Sequence, residues 1–259
     1  MRHGFIGYGN VIRALHKALS KLGDERFGYF SNTNSHKELI PFSSVKDLVD
    51  NSDVIWLGVK PQNLQEVLNR LKIDSPGESL ADKLVVSVVA GKSIGYIENE
   101  LGENIPIIRI MTNLAIEFGC SVTAYTSNCI FNRNKESVRN LLGSLGVLVE
   151  IPECDFNRFT AIFGSGPAFL LKFIDIMRSK MAGSGIDEAG LNSMFAGLLR
   201  GTSRYYSAYC NDLTIDRLIE NIASKGGTTE AGINYMIENN VEVLFDNVIE
   251  IAQNRALHL

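Results

Sequence analysis

Ser224-Lys225-Gly226-Gly227-Thr228-Thr229-Glu230-Ala231-Gly232 sets two glycines and two hydroxyls directly ahead of a helical pattern. Paired glycines let several backbone N–H groups point one way without Cβ interference, and a helix start adds partial positive charge. That combination suits a small anion, such as a substrate carboxylate. Read alone, the same residues also form an ordinary helix-starting turn.

A second glycine cluster stands at the N-terminus. His3-Gly4-Phe5-Ile6-Gly7-Tyr8-Gly9-Asn10-Val11-Ile12-Arg13-Ala14 reads as a short apolar strand, a glycine turn and a helix running to about Leu22. Gly7 permits the tight turn, and Gly9 removes the Cβ that would hold the backbone away from a pyrophosphate. Ile12 stands where the dinucleotide fingerprint has its third glycine. A second strand, Phe27 to Phe30, ends about 20 residues further on, where NAD-binding chains carry an acidic residue for the ribose. Here the residues are Ser31-Asn32-Thr33-Asn34, without a carboxylate to repel a 2′-phosphate. NADP(H) is therefore expected, with NAD(H) as the alternative. No arginine lies in this segment, and Lys37 is the nearest cation.

The elements that must position these residues follow in order. Asp53 to Gln62 contains a third apolar strand that breaks at Pro61, with a helix from Leu64 to Leu71. Leu84 to Gly91 gives a fourth strand and Ile107 to Met111 a fifth, while strand signals stop after Gly146 to Ile151. Continuous apolar strands alternating with helical patterns predict an α/β doubly wound parallel sheet covered on both faces. Ligands then bind beyond the carboxyl ends of the strands. Those ends carry Gly7-Tyr8-Gly9, Val59-Lys60-Pro61, Ala90-Gly91 and Thr112-Asn113. Lys60 reads either as a solvated loop lysine or as a backbone contact to the nicotinamide ribose. Asn113 reads either as a turn residue or as an amide contact to the ligand.

Pro152 marks the expected boundary between a dinucleotide-binding domain, residues 1–151, and an all-helical domain, residues 152–259. Beyond it, Phe169, Phe173, Met177 and Met181 recur at helical spacing, as do Leu191, Phe195 and Leu198, and later Ile233, Ile237 and Leu244. These stripes are assigned to core packing, with any surplus apolar surface available to a second copy of the chain. Gly164-Ser165-Gly166-Pro167-Ala168 is expected to kink the first of these helices.

A net charge of -4 and no clustered Lys or Arg argue against a nucleic-acid partner. Four scattered cysteines and four histidines lack the spacing of a metal site or disulfide framework, so no metal is expected. No signal sequence or apolar run of membrane-spanning length is read, which makes a reducing cytoplasm the default and a membrane partner unexpected.

Taken together, the Gly4 to Asn10 stretch, Val59-Lys60-Pro61-Gln62, Gly164 to Ala168 and Gly226 to Gly232 occur in the order and spacing of pyrroline-5-carboxylate reductase, which the chain resembles over almost its whole length. The resemblance implies NAD(P)H-dependent reduction of 1-pyrroline-5-carboxylate to L-proline. It also implies an N-terminal Rossmann domain and a helical domain that pairs in a homodimer or a larger ring of dimers. Carried onto this chain, Gly7, Gly9, Asn10 and Val11 would meet the pyrophosphate, and Ser31, Asn32 and Thr33 the adenosine ribose. Val59, Lys60, Pro61, Ala90 and Gly91 would line the path to the nicotinamide, and Asn113 the same site. The amides of Gly226, Gly227, Thr228 and Thr229 would hold the substrate carboxylate, with the catalytic Thr229 hydroxyl near the ring nitrogen.

The chain departs from the family pattern at three places. Met111-Thr112-Asn113-Leu114-Ala115 lacks two prolines that stiffen the family's loop, and Lys225 replaces a proline. Ile12 fills a normally small position, which would push the helix off the strand or narrow the pyrophosphate site. Reduction of a related cyclic imino acid, or nucleotide binding without turnover, are the alternative readings at this point.

Overall fold

The computed structural model describes residues 1–23, 25–31, 39–75 and 77–259. The chain forms two compact units, Met1–Gly166 with Ile249–Leu259, and Pro167–Val248. The sequence boundary at Pro152 lies earlier. Phe156 and Phe159 just beyond it are buried against Met111 and Ala124, which keeps that stretch with the first unit.

In the first unit the elements run β1 (Arg2–Ile6), α1 (Asn10–Leu19), β2 (Arg26–Phe30), β3 (Ile40–Pro41), α2 (Val45–Asp50), β4 (Val54–Leu57), α3 (Leu64–Asp74) and α4 (Gly77–Ala81). They continue with β5 (Leu84–Ser87), α5 (Ile94–Leu101), β6 (Ile107–Met111), β7 (Ser121–Ser127), α6 (Asn134–Gly143), β8 (Gly146–Glu150) and α7 (Phe156–Phe159). The strands form one sheet in the order β3-β2-β1-β4-β5-β6-β7-β8. Its first six members are parallel, with the strand order of a doubly wound nucleotide-binding sheet.

Alternation along β4 shows why both faces are covered. Val54 and Trp56 join Phe5, Leu15 and Val86 in one core, while Ile55 and Leu57 join Ile6, Leu68 and Val85 in the other. Helices must therefore pack on both sides.

The expected doubly wound parallel sheet is present, and its far edge adds an antiparallel pairing. β7 runs antiparallel to β6, and β8 is parallel to β7. Met111 and Ser121 are joined by the short 3-10 turn Leu114–Phe118, too little chain for a parallel crossover.

The second unit holds the rest of α8 (Gly166–Ser179), then α9 (Glu188–Tyr209), α10 (Ile215–Ile222), α11 (Thr228–Glu238) and the start of α12 (Val241–Leu257). Phe173 stacks on Phe245 at 5.0 Å between ring centres, and Arg178 bonds Glu188 and Asn192. The assignment of the apolar stripes to core is corrected here. Of the side chains in this unit only Leu191 and Leu218 are buried apolar residues; Phe169, Phe173, Met181, Phe195 and Ile233 are half-buried, and Met177, Leu198, Ile237 and Leu244 are exposed. The periodicity marks apolar faces correctly, but one copy of the chain has nothing to lay against them.

The Gly164 to Ala168 break is a π turn over Thr160–Gly164, closed by the Ser165 N–H donating to the Thr160 carbonyl at 2.9 Å. Pro167 falls in the first turn of α8, where no intrahelical N–H is required. The helical run Glu153–Ser179 has a mean hydropathy of 1.4 in its best window, long and apolar enough by composition to cross a membrane. That corrects the expectation that no such run exists.

His3 in β1 is buried beside the single tryptophan. The Trp56 indole N–H donates to His3 Nδ1 at 3.0 Å, so Nδ1 is unprotonated and Nε2–H faces Glu25 at 2.9 Å. Burial lowers the His3 pKa below 6.5, against the pull of Glu25. As pH falls through 6.5 the unfolded chain takes up this proton first, so stability is lost toward acid. Urea unfolding followed by Trp56 emission is expected to show declining stability from about pH 7 to pH 5, and His3→Gln to flatten that decline.

Candidate functional site

The first glycine turn connects β1 to α1. Gly7 has φ +83°, and a Cβ there would lie 2.6 Å from Val59 Cγ1 and 3.0 Å from the Gly58 carbonyl carbon. Only glycine meets both conditions. Gly9 caps α1 in an extended conformation and offers no side-chain acceptor. The Asn10 and Val11 amides, ahead of the first intrahelical bond from Arg13 to Gly9, are thus left for another acceptor. By contrast α2, α5, α9 and α10 each begin under a Ser, Asp or Thr side chain.

Ile12 neither displaces α1 nor narrows the turn. It is buried, and it occupies the space beside Gly58, where a Cβ would come within 2.1 Å of Ile12 Cγ1. The missing small residue on the helix is matched by a glycine on the strand end opposite.

Gly7, Gly9, Ser31, Val59 and Lys60 line one open cleft of about 430 Å³ at the carboxyl ends of β1, β2 and β4. Pro61 starts the 3-10 turn that follows Lys60, and the Lys60 side chain is exposed. Asn32 and Thr33, with Lys37, lie outside the described residues. Sequence reasoning missed two cations in this cleft, Arg13 from α1 and Arg70 from α3. Arg13 is one helical turn beyond Gly9, a spacing that could have flagged it.

The structure does not bring Gly91 into this cleft. Gly91, at φ +73°, closely approaches Ala256 and Leu259 and lines a separate hollow of about 490 Å³ with Lys92, Arg109 and Glu153. Ala90 is partly buried against the Phe156 cluster. The Asn113 side chain caps the turn that follows it: its Oδ1 accepts from the Ala115 N–H at 3.1 Å and its Nδ2 donates to the Phe163 carbonyl at 3.0 Å. The stiffness that prolines would give this loop comes instead from that cap and from the buried Thr112–Thr123 hydroxyl pair at 2.7 Å.

In the second unit, Gly227 caps α11 without a side-chain acceptor. Gly226, at φ +73°, donates its N–H to the Glu230 carboxylate at 2.7 Å, and Gly227 donates to the Ser224 carbonyl at 2.8 Å. The expectation that all four amides from Gly226 to Thr229 are available is thereby corrected. Thr228 and Thr229 keep theirs, ahead of the first intrahelical bond from Ala231. Their side chains and that of Lys225 are exposed.

Comparison with known proteins converges on one family. The family described as pyrroline-5-carboxylate reductase dimerisation matches residues 153–259, and that described as NADP oxidoreductase, coenzyme F420-dependent, matches residues 2–91. A pyrroline-5-carboxylate reductase from Staphylococcus saprophyticus is 31% identical, covering 100% of this chain and 98% of that protein. The chain belongs to the pyrroline-5-carboxylate reductase family. Another member, from Aquifex aeolicus, is 35% identical over 92% of this chain and 89% of its own length. Two solved members share the fold at 26% identity over the whole of this chain. They are the Plasmodium falciparum pyrroline carboxylate reductase with NADP bound, with a TM-score of 0.90 over 97% of that chain, and the Streptococcus pyogenes reductase, with 0.87 over 99%.

Gly58→Ala is expected to destabilise the first unit by about 1–3 kcal/mol through overpacking against Ile12. Adding Ile12→Ala to the same molecule should recover part of that loss, a non-additivity that a double-mutant cycle of urea unfolding would measure.

Proposed function

We propose that the protein reduces 1-pyrroline-5-carboxylate to L-proline with NADPH. The observation that carries this reading is the pair of glycine-capped helix starts, at Gly9 and Gly227, in a chain aligned end to end with reductases of that name. Carboxyl-end placement, a bare helix cap and the cations Arg13 and Lys60, beside the paired Arg70 and Glu66, fit a nucleotide with several phosphates.

When bound, the reduced nicotinamide supplies the hydride. The chain's own residues bind and align. Gly7 keeps the turn clear of side chains, the Asn10 and Val11 amides face the pyrophosphate, and Val59 and Lys60 form the wall beyond it. Ala90, Gly91 and Asn113 belong to this reading only as the frame behind the strand ends, since their contacts are with protein. Asn32 and Thr33 are proposed at the adenosine ribose from sequence alone.

On α11 the Thr228 and Thr229 amides seat the substrate carboxylate, and the Thr229 hydroxyl holds the ring nitrogen. Gly226 and Gly227 shape the turn, and Glu230 fixes it through the Gly226 N–H. A protonated cyclic imine is already electrophilic at carbon, so alignment supplies much of the rate and no acid–base dyad is required.

The working form is proposed as a homodimer or a larger ring of dimers. A helical unit with two buried apolar side chains and many exposed ones supports this, as does the match to a dimerisation family over residues 153–259. A cytoplasmic location is proposed on the strength of four free cysteines.

Purified protein with NADPH and pyrroline-5-carboxylate is expected to consume the cofactor's near-ultraviolet absorbance and form proline. Thr229→Ala should raise the barrier expressed in kcat/KM by roughly 1–3 kcal/mol. Unchanged steady-state kinetics in that variant would remove the assigned role.

A further inference from the structure

A cofactor with a 2′-phosphate differs from one without it by a phosphate monoester carrying roughly -1.5 to -2 charge at neutral pH. A site that prefers it must present a cation where the ribose lies. In this chain the segment after β2 holds no arginine, its Ser31 to Asn34 residues are small and neutral, and its lysine, Lys37, is followed directly by Glu38. A guanidinium from another element nevertheless lines the same cleft.

Arg13 sits on the α1 connection between β1 and β2, one turn past Gly9, and lines the cleft together with Ser31 at the carboxyl end of β2. Its neighbours Ile12 and Ala14 are buried, while Arg13 is exposed. The two other cations in the cleft are differently placed. Lys60 follows β4, which is separated from β2 by β1. Arg70 is engaged by Glu66 at 2.8 Å, and both of these line the cleft, so their charges offset each other. Among the described residues Arg13 has no carboxylate partner.

We propose that Arg13 is a specificity-determining residue that selects the 2′-phosphorylated cofactor, supplying from α1 the guanidinium that the β2 end lacks. The planar fork of arginine pairs with phosphate oxygens two at a time, which a point charge does not. The inference rests on the reading of the cleft as an NADP(H) site.

Calorimetric titration of the full-length protein with adenosine 2′,5′-bisphosphate and with AMP tests it directly. Wild-type protein is expected to prefer the bisphosphate, and Arg13→Ala to cut that preference roughly 10- to 100-fold while AMP binding stays about the same. Arg13→Lys, which keeps the charge and loses the fork, should fall between the two. The ratio of kcat/KM for NADPH over NADH should drop in parallel. A preference that survives in Arg13→Ala, or that disappears only in Arg70→Ala, overturns the proposal and leaves the cofactor reading standing. A wild-type protein that binds both nucleotides equally overturns both. Arg13 is solvent-exposed on a helix and alanine is a good helix former, so the variant is expected to fold, which circular dichroism checks.

Discussion

At Gly7 the turn between β1 and α1 has no room for a side chain, and the nucleotide-binding half of the molecule is arranged around that limit. Gly7 turns through a left-handed conformation with Val59 and Gly58 against it, and Gly9 starts the helix with no side chain to satisfy its first amides. A substitution at Gly7 would meet Val59 and the Gly58 carbonyl. The third close contact in the motif is made from the other side. Gly58 at the end of β4 yields to Ile12, so the helix packs against the strand with the bulk on the opposite partner.

The same device recurs in the helical unit. α11 starts at Gly227, and the preceding Gly226 is held by the Glu230 carboxylate, which orders the turn while leaving the Thr228 and Thr229 amides open. Both halves of the proposed chemistry thus use oriented backbone amides, where α2, α5, α9 and α10 use a capping side chain. For a reaction whose electrophile is already charged, such a scaffold is sufficient, because positioning and charge complementarity carry the acceleration.

The parallel strands were legible because strands buried on both faces read as continuous apolar runs, as in Val54 to Leu57 and Leu84 to Val86. β7 was not, since Ser121, Thr123 and Thr126 interrupt its apolar pattern and two of those residues are buried through hydroxyl hydrogen bonds. The apolar stripes of the helical unit were legible as faces, but sequence does not say what covers a face, and a single chain leaves most of them open. In the cleft, Gly7, Gly9, Val59 and Lys60 followed from motif and strand ends. Arg13 and Arg70 did not, because no local pattern announces which exposed cation a crossover will aim at a ligand. Asn113 was ambiguous on the page, and in the structure its side chain makes two hydrogen bonds to the protein.

Bare helix starts, at Gly9 and at Gly227, are proposed to receive the two anionic ends of the reaction. A crystal structure of the protein with NADP⁺ and L-proline tests this most directly. Pyrophosphate oxygens are expected on the Asn10 and Val11 amides and the proline carboxylate on the Thr228 and Thr229 amides. A carboxylate bound instead by lysine or arginine side chains, with the α11 amides facing water, would contradict it.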